Sequence, residues 1–169
     1  MEKNIANMQE DIFKEMESIL FENGLSIISR DEQRPWGGFF VIDENQAQAF
    51  SNNFLNGLNV ADLKISGKLS PKLLMVKPQT RLSWQYHHRR AEIWRLIKGE
   101  AGVVRSDSDT EGSLETLKTF DQITLKQGER HRLVGLNDWA VIAEIWQHTD
   151  SNNPSNEDDI VRVQDDFGR

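Results

Sequence analysis

Apolar residues follow two different periods along the chain, one typical of a helix and the other of short strands. In the first 20 residues they recur every three or four positions, while acidic residues occupy the other faces. Asn23-Gly24 then supplies a C-cap. The pattern predicts an N-terminal amphipathic α-helix that packs on the body of the domain or on a partner subunit. Its apolar stripe consists of Ile5, Met8, Ile12, Met16 and Ile19–Leu20.

Short β-like runs separated by turn residues make up the chain after Asp31. Many short strands at this spacing predict a β-sandwich or a small barrel and not alternating strands and helices. Residues 46–67 are rich in Asn and poorly patterned, which predicts an insert between strands. The predicted strands are Phe39–Ile42, Leu73–Val76, Leu82–Tyr86, Ile93–Ile97, Gly102–Arg105, Ser113–Leu117, Gln122–Leu125, His131–Val134 and Trp139–Trp146.

The composition narrows the class of protein. A chain of 169 residues fits one domain, and we expect residues 1–30 to form a helical extension and residues 31–169 to form the β domain. Cysteine is absent, which excludes thiol catalysis, thiolate-bound zinc, iron–sulfur clusters and disulfides.

The charge balance bears on partners and location. Lys and Arg number 20 and Asp and Glu number 27, and this acidic balance argues against nucleic-acid and anionic-membrane partners. The apolar run Trp139–Trp146 is interrupted by Glu144 and is too short to cross a bilayer. The N-terminus has no apolar signal segment. We therefore expect a cytoplasmic protein that acts on a small molecule.

Four polar residues have the spacing of a metal site. Gln85 and His87 point to the same side of a strand, and Glu92 follows where the chain can turn back towards them. His131 opens a later strand after Gly128. Two imidazoles, a carboxylate and an amide oxygen suit zinc, iron, manganese or nickel.

The same residues carry a resemblance to a known family. The spacing Gln-x-His-x4-Glu-x6-Gly, followed by Gly-x2-His, resembles the two cupin motifs. Residues 85–94, QYHHRRAEIW, resemble the signature of type II phosphomannose isomerases, which are mannose-6-phosphate isomerases of the cupin superfamily. The chain also resembles this family at Arg34–Gly37, at Lys72 with Val76–Pro78, and from Glu157 to Arg169.

The resemblance implies an all-β cupin fold, a double-stranded β-helix or jelly-roll barrel, preceded by the N-terminal α-helix. It implies one divalent transition metal, with zinc the first expectation, bound by Gln85, His87, Glu92 and His131. Arg90 matches an arginine implicated in isomerase catalysis in the family. Lys72 and His88 are further candidates for substrate binding or proton transfer.

The activity implied is a metal-dependent aldose–ketose isomerase that interconverts mannose-6-phosphate and fructose-6-phosphate through a cis-enediolate. The partner is then a small-molecule sugar phosphate, and a homodimer is left open. Departures from the family pattern at Gln79, Arg89 and Ile93, together with the Asn-rich insert, leave a non-catalytic sugar- or sugar-phosphate-binding cupin as an alternative. A metal-dependent dioxygenase is a third alternative, which Gln85 in place of a third histidine disfavours. Arg34–Gly37 and Glu157–Arg162 have no evident chemical role and are interpreted as structural.

Overall fold

The computed structural model describes residues 2–169, with side chains from Met8 onwards. Two antiparallel sheets face each other, and three helices lie on the N-terminal half of the chain. The helices are α1 (Glu2–Glu22), α2 (Ala47–Phe54) and α3 (Val60–Leu63). The strands are β1 (Ile27–Arg34), β2 (Gly37–Ile42), β3 (Lys72–Val76), β4 (Trp84–Tyr86), β5 (Arg90–Lys98), β6 (Ala101–Ser106), β7 (Leu114–Leu117), β8 (Gln122–Leu125), β9 (Arg130–Gly135), β10 (Ala140–His148) and β11 (Val161–Gln164).

The strands form a six-stranded sheet in the order β1-β2-β3-β10-β5-β8 and a five-stranded sheet in the order β11-β4-β9-β6-β7. From β3 onwards most consecutive strands lie in different sheets. Residues distant in sequence therefore face one another in the space between the two sheets. The all-β architecture predicted from the sequence is confirmed, and each of the nine predicted runs contains or overlaps a strand.

Two strands, β1 and β11, and one helix, α2, were not predicted from the sequence pattern. β1 is mostly polar and becomes a strand by pairing with the apolar β2. β11 at the C-terminus pairs with β4. The poorly patterned segment 46–67 contains α2, whose Phe50 and Phe54 are buried under the six-stranded sheet. These segments have little hydrophobic periodicity of their own, so their secondary structure depends mainly on tertiary contacts.

Helix α1 packs on the body of the domain. Ile12, Phe13, Met16 and Leu20 are buried against the outer face of the six-stranded sheet. Met8 is exposed, and the side chain of Ile5 lies outside the described residues. The helix ends at Glu22 and β1 begins at Ile27, so position 30 lies within a strand. No helix within residues 2–169 is long and apolar enough to cross a bilayer.

Side chains of the six-stranded sheet alternate between two cores. In β10, Val141, Ala143 and Ile145 pack under the helices, while Ala140 and Ile142 pack between the two sheets. Residues two positions apart on a strand share a face, so Glu144 belongs to the inner side with Ala140 and Ile142. The same alternation places three further charged residues of β3 and β5 on the inner side, namely Lys72, Arg90 and Glu92. The space between the sheets is therefore apolar at one end and polar at the other.

A glycine at the start of β2 allows this packing. Gly37 has φ of +135°, and a Cβ built on it would lie 2.0 Å from the carbonyl oxygen of Met75. Only glycine tolerates both the backbone conformation and the close approach. In the Arg34–Gly37 segment, Gly37 therefore has a structural role, as expected.

Candidate metal centre

The polar end of the interior opens into a cavity of about 410 Å³. Three tryptophans, one phenylalanine, two leucines and one isoleucine form its apolar walls, and charged residues form its floor and mouth. Its lining consists of Arg34, Trp36, Phe39, Lys72, Leu74, Leu82, Gln85, Arg90, Glu92, Trp94, Glu144, Trp146, Glu157, Asp158, Ile160, Arg162 and Arg169.

The structure brings the four predicted ligands together. His87 Nε2 lies 3.2 Å from Glu92 Oε1, and His131 Nε2 lies 3.5 Å from Glu92 Oε2. Ligand atoms of His87, Glu92 and His131 all lie within 4.8 Å of one another, and all three residues are buried. Gln85 pairs with His131 across β4 and β9, and its Nε2 is 3.4 Å from His87 Nε2. Donors about 2 Å from one ion lie a few ångströms apart, so this group could bind a metal.

Backbone carbonyls orient both imidazoles. His87 Nδ1 lies 2.7 Å from the carbonyl oxygen of Asp159, and His131 Nδ1 lies 3.1 Å from that of Glu129. Each carbonyl accepts a hydrogen bond from Nδ1–H, which leaves the lone pair of Nε2 facing the centre. His131 Nε2 is buried and has no hydrogen-bond partner among the described residues. A buried nitrogen without a partner is costly unless a ligand occupies it, so the donor set fits a metal.

Glu92 is held in place by two donors. Arg90 Nε donates to Oε1 at 2.9 Å, and Trp94 Nε1 donates to Oε2 at 3.0 Å. Burial by itself would raise the pKa of Glu92, but the interaction with His87 and the charge of Arg90 outweigh burial and hold the pKa well below its usual range. The carboxylate is therefore ionised, as a metal ligand has to be.

Burial acts on His131 in the opposite sense. It disfavours the charged imidazolium and lowers the pKa of His131 to about 4, although the carboxylate of Glu92 opposes the shift. The imidazole is neutral at physiological pH, so protons do not compete for the lone pair.

Arg90 reaches across the floor of the cavity. Besides Glu92, it contacts His87 Nε2 at 3.2 Å through Nη2 and donates to Ser155 Oγ at 2.8 Å through Nη1. Its guanidinium also stacks 3.6 Å above the ring of Trp146. Arg90 is 5% exposed, so it is a fixed cation at the floor and not a mobile surface charge.

The other two predicted catalytic residues lie in different places. Lys72 is buried at the floor, paired with Glu157 and 3.8 Å above the Trp146 ring. His88 is exposed, packs edge-on against Tyr86 and does not line the cavity. Both histidines follow the end of β4 at Tyr86, and contacts with Asp159 fix this loop so that His87 is buried and His88 is exposed.

Gln85 lies beside the metal group with its amide oxygen turned away from it. Its Oε1 accepts a hydrogen bond from Ser83 Oγ at 2.6 Å, and its Nε2 faces His87. Rotation of the amide by half a turn would bring the oxygen to the centre.

Two buried carboxyl groups at the site were not among the predicted site residues. Glu144 is 5% exposed, lies opposite Lys72 and Trp94 on neighbouring strands, and accepts a hydrogen bond from Trp146 Nε1 at 3.0 Å. Its signal in the sequence was a single charge in the apolar run Trp139–Trp146.

Asp159 carries the second of these buried carboxyl groups. Its side chain accepts hydrogen bonds from the backbone nitrogens of His88 and Arg89 and from Ser155 Oγ. Together with its carbonyl contact to His87, these bonds fix the loop that carries the histidine. Burial would raise the pKa of Asp159, but these hydrogen bonds lower it overall. Its signal was the Glu157–Arg162 motif, so the structural interpretation of that motif fits this residue.

We expect the Glu144→Gln substitution to stabilise the metal-free protein increasingly as the pH rises from about 4.5 to about 8. Burial and the nearby Glu92 raise the pKa of Glu144 to about 8, and Lys72 and Arg90 only partly oppose them. In that range the unfolded carboxyl ionises and the folded one does not, so the wild type loses stability relative to the variant. At about 1.4 kcal/mol per pKa unit the difference reaches several kcal/mol.

Denaturant unfolding of both proteins at a series of pH values measures this difference. Comparing wild type and variant at each pH cancels the contribution of His131, which titrates in an overlapping range. A difference in unfolding free energy that stays constant from pH 4.5 to 8 would contradict the raised pKa.

Comparison with known proteins places this geometry in context. The profile of the family described as "Mannose-6-phosphate isomerase C-terminal" matches residues 58–165. The xanthan biosynthesis protein XanB of Xanthomonas campestris pv. campestris is 33% identical over 141 residues, which is 83% of this chain and 24% of that protein. The alginate biosynthesis protein AlgA of Pseudomonas aeruginosa is 32% identical over 136 residues, or 80% of this chain and 22% of that protein.

A mannose-1-phosphate guanylyltransferase of Salmonella montevideo is 27% identical over 165 residues, or 97% of this chain and 29% of that protein. The chain thus spans about a quarter of the length of these curated relatives.

Solved structures support the fold. A variant of Bacillus subtilis oxalate decarboxylase OxdC superposes with a TM-score of 0.55 at 14% identity, over 79% of this chain and 30% of that one. The formate complex of Lactobacillus farciminis oxalate decarboxylase superposes with a TM-score of 0.54 at 15% identity, over 79% of this chain and 33% of that one. The cupin fold implied by the sequence resemblance is confirmed.

Proposed function

The chain belongs to the mannose-6-phosphate isomerase C-terminal family, and we propose that it is a metal-dependent aldose–ketose isomerase that interconverts mannose-6-phosphate and fructose-6-phosphate. The observation that carries the proposal is the buried His87-Glu92-His131 group beside the Arg90 guanidinium, at the floor of a cavity large enough for a small molecule. A metal ligand set with a fixed cation beside it is suited to reactions in which oxygens of the substrate gain negative charge.

We propose Gln85, His87, Glu92 and His131 as the metal ligands and zinc as the metal. Nitrogen and oxygen donors of this kind are common at catalytic zinc sites, which keep a coordination position for substrate. When bound, the metal would supply Lewis-acid polarisation of the sugar oxygens.

The isomerisation moves protons within the substrate and needs no further reactant. A proton leaves C2 of the open-chain aldose and is delivered to C1, while the hydroxyl proton of O2 passes to O1, through a cis-enediolate. Arg90 would offset the negative charge that develops on the enediolate oxygens. Trp94 and Trp146 line the cavity and limit the access of water to it.

Glu144 and Lys72 are the remaining ionisable groups of the floor. They lie opposite each other on β10 and β3, and both line the cavity. We propose Glu144 as the group that carries the proton between C2 and C1, since Glu92 is a ligand and therefore a weaker base. Lys72 would hold the sugar oxygens. His88, which lies outside the cavity, has no role in this scheme.

A direct assay tests the activity. The zinc-loaded protein, incubated with mannose-6-phosphate in heavy water, should form fructose-6-phosphate and incorporate solvent deuterium at C1, because the proton taken from C2 by the base exchanges with solvent before it is delivered. Tight binding of the sugar phosphate without turnover would instead assign the non-catalytic sugar-phosphate-binding role, and oxygen consumption would assign a dioxygenase. The cytoplasmic location and a homodimer remain proposals from the sequence.

A further inference from the structure

Three arginines, one from β1 and two from the C-terminal segment, line the mouth of the cavity. Arg34 ends β1, Arg162 lies on β11, and Arg169 is the last residue. All three line the same cavity as the metal group. Arg162 and Arg169 are exposed and Arg34 is partly exposed, whereas Arg90 and Glu92 are buried. The arginines therefore form a second layer of positive charge, nearer to solvent than the floor.

Arg162 has no partner for its charge. Arg162 lies opposite Gln85 on the neighbouring strand and faces the cavity. Within residues 2–169 no hydrogen bond or ion pair reaches its guanidinium. Partial burial and the nearby charges of Arg169 and Arg34 lower its pKa, and Asp165 and Glu157 offset this only in part. A cation that neighbouring cations destabilise is ready to bind an anion.

The other two arginines keep donors free as well. Arg34 Nε is buried without a hydrogen bond, because Asp31 Oδ2 lies 3.0 Å away but not in hydrogen-bonding geometry. Arg169 donates to the carboxylate of Asp165 through Nε and Nη2, which leaves Nη1 free among the described contacts.

Two acidic residues, Glu157 and Asp158, also line the mouth and would repel an anion there unless they are neutralised. Glu157 is paired with Lys72, which neutralises it. Asp158 is exposed, and its side chain makes no ion pair among the described residues. Arg34 forms an ion pair with Asp31 and Arg169 forms one with Asp165, so among the described residues Arg162 is the arginine of the mouth whose charge is unpaired.

We propose that Arg34, Arg162 and Arg169 form a subsite for the phosphate monoester of the substrate, on the solvent side of the metal group. This inference rests on the proposed function for the identity of the substrate. Guanidinium groups bind phosphate oxygens with paired, planar hydrogen bonds, and an exposed mouth accepts a dianion at lower desolvation cost than the buried floor. The carbonyl end and the phosphate end of a six-carbon sugar phosphate would then be held by different layers of one cavity.

Substitutions of the subsite arginines should change KM, whereas substitution of Arg90 should change kcat. Because the phosphate takes no part in the proton transfers, its contacts act equally in the ground state and the transition state. Arg162→Ala should therefore raise KM for mannose-6-phosphate about 10-fold or more and leave kcat within about threefold. Arg162→Lys should restore part of the affinity, since it keeps the charge but not the paired donors.

The experiment measures both turnover and direct binding. Wild type, Arg162→Ala, Arg162→Lys and Arg34→Ala are assayed with mannose-6-phosphate and titrated calorimetrically with mannose-6-phosphate, inorganic phosphate and mannose. Lys118→Ala is the control, because it removes one exposed positive charge away from the cavity. We expect weaker binding of both phosphate compounds in the Arg162 and Arg34 variants, with no change for mannose and none in the control.

The outcomes separate this proposal from the proposed function. Unchanged binding of mannose-6-phosphate in Arg162→Ala and Arg34→Ala would overturn the subsite even if the wild type is an active isomerase. A wild type that binds mannose-6-phosphate without turnover, and loses that binding in Arg162→Ala, would uphold the subsite and overturn the isomerase. A wild type that binds neither phosphate compound would overturn the subsite.

Discussion

Replacing either His87 or His131 with Ala is expected to reduce bound zinc from about one per chain to a small fraction and to lower turnover of mannose-6-phosphate on the order of 10³-fold or more. Each histidine presents its Nε2 to the same carboxylate, and His131 Nε2 has no other partner among the described residues. Removing one imidazole takes away one of the two nitrogen donors and leaves a single imidazole with two oxygen donors, which weakens zinc binding sharply. Metal analysis after dialysis, together with the isomerase assay, measures both effects.

The adjacent histidine supplies a matched control. His88→Ala removes an exposed imidazole one position along the chain and should leave both metal content and turnover close to those of wild type. Circular dichroism checks that the two-sheet fold persists, as expected from cores that do not depend on these side chains. Full zinc content in the His87→Ala/His131→Ala double variant would remove the proposed site from consideration.

Arg90→Ala should lower kcat for mannose-6-phosphate about 10²-fold or more. The guanidinium is buried beside the carboxylate and the imidazole of two proposed ligands, so it lies where charge would grow in the transition state. The substitution also removes the only ion-pair partner of Glu92 other than histidine within the described residues, which raises the cost of its buried charge. We therefore expect metal binding to weaken moderately, in addition to the fall in kcat.

Two further variants separate these effects. Arg90→Lys keeps the charge but cannot contact Glu92, His87 and Ser155 at once, so it should recover turnover only in part. Arg95→Ala is the control, because Arg95 lies on the opposite face of β5 and packs on Phe120. Wild-type kcat in a zinc-saturated Arg90→Ala protein would contradict the catalytic role of Arg90 and leave it at most a role in substrate binding.

The core strands could be predicted because their pattern is local. β2, β3, β5 and β10 are apolar runs bounded by turn residues, so burial on folding leaves little choice of conformation. The polar β1 and the C-terminal β11 carry no such pattern, and each exists as a strand only because a partner strand lies beside it. The same holds for α2, whose two buried phenylalanines stand in an Asn-rich segment.

The spacing of the metal group could be recognised in the sequence. Period-two alternation predicts that Gln85 and His87 share a face, and the resemblance to the cupin motifs adds Glu92 and His131. Strand pairing in the structure brings His87, Glu92 and His131 within 4.8 Å of one another. The family motif added Arg90, which lies beside them.

Only the tertiary structure decided the surroundings of that group. His88 and His87 are indistinguishable by residue type, and the loop held by Asp159 determines which of them faces inwards. Glu144 became part of the floor because β10 lies between β3 and β5 in the sheet. Arg34 and Arg162 are separated by more than a hundred positions in the chain, and only strand order places them at one opening. Local pattern determines which face a side chain takes, but the partner across that face is set by the pairing of distant strands.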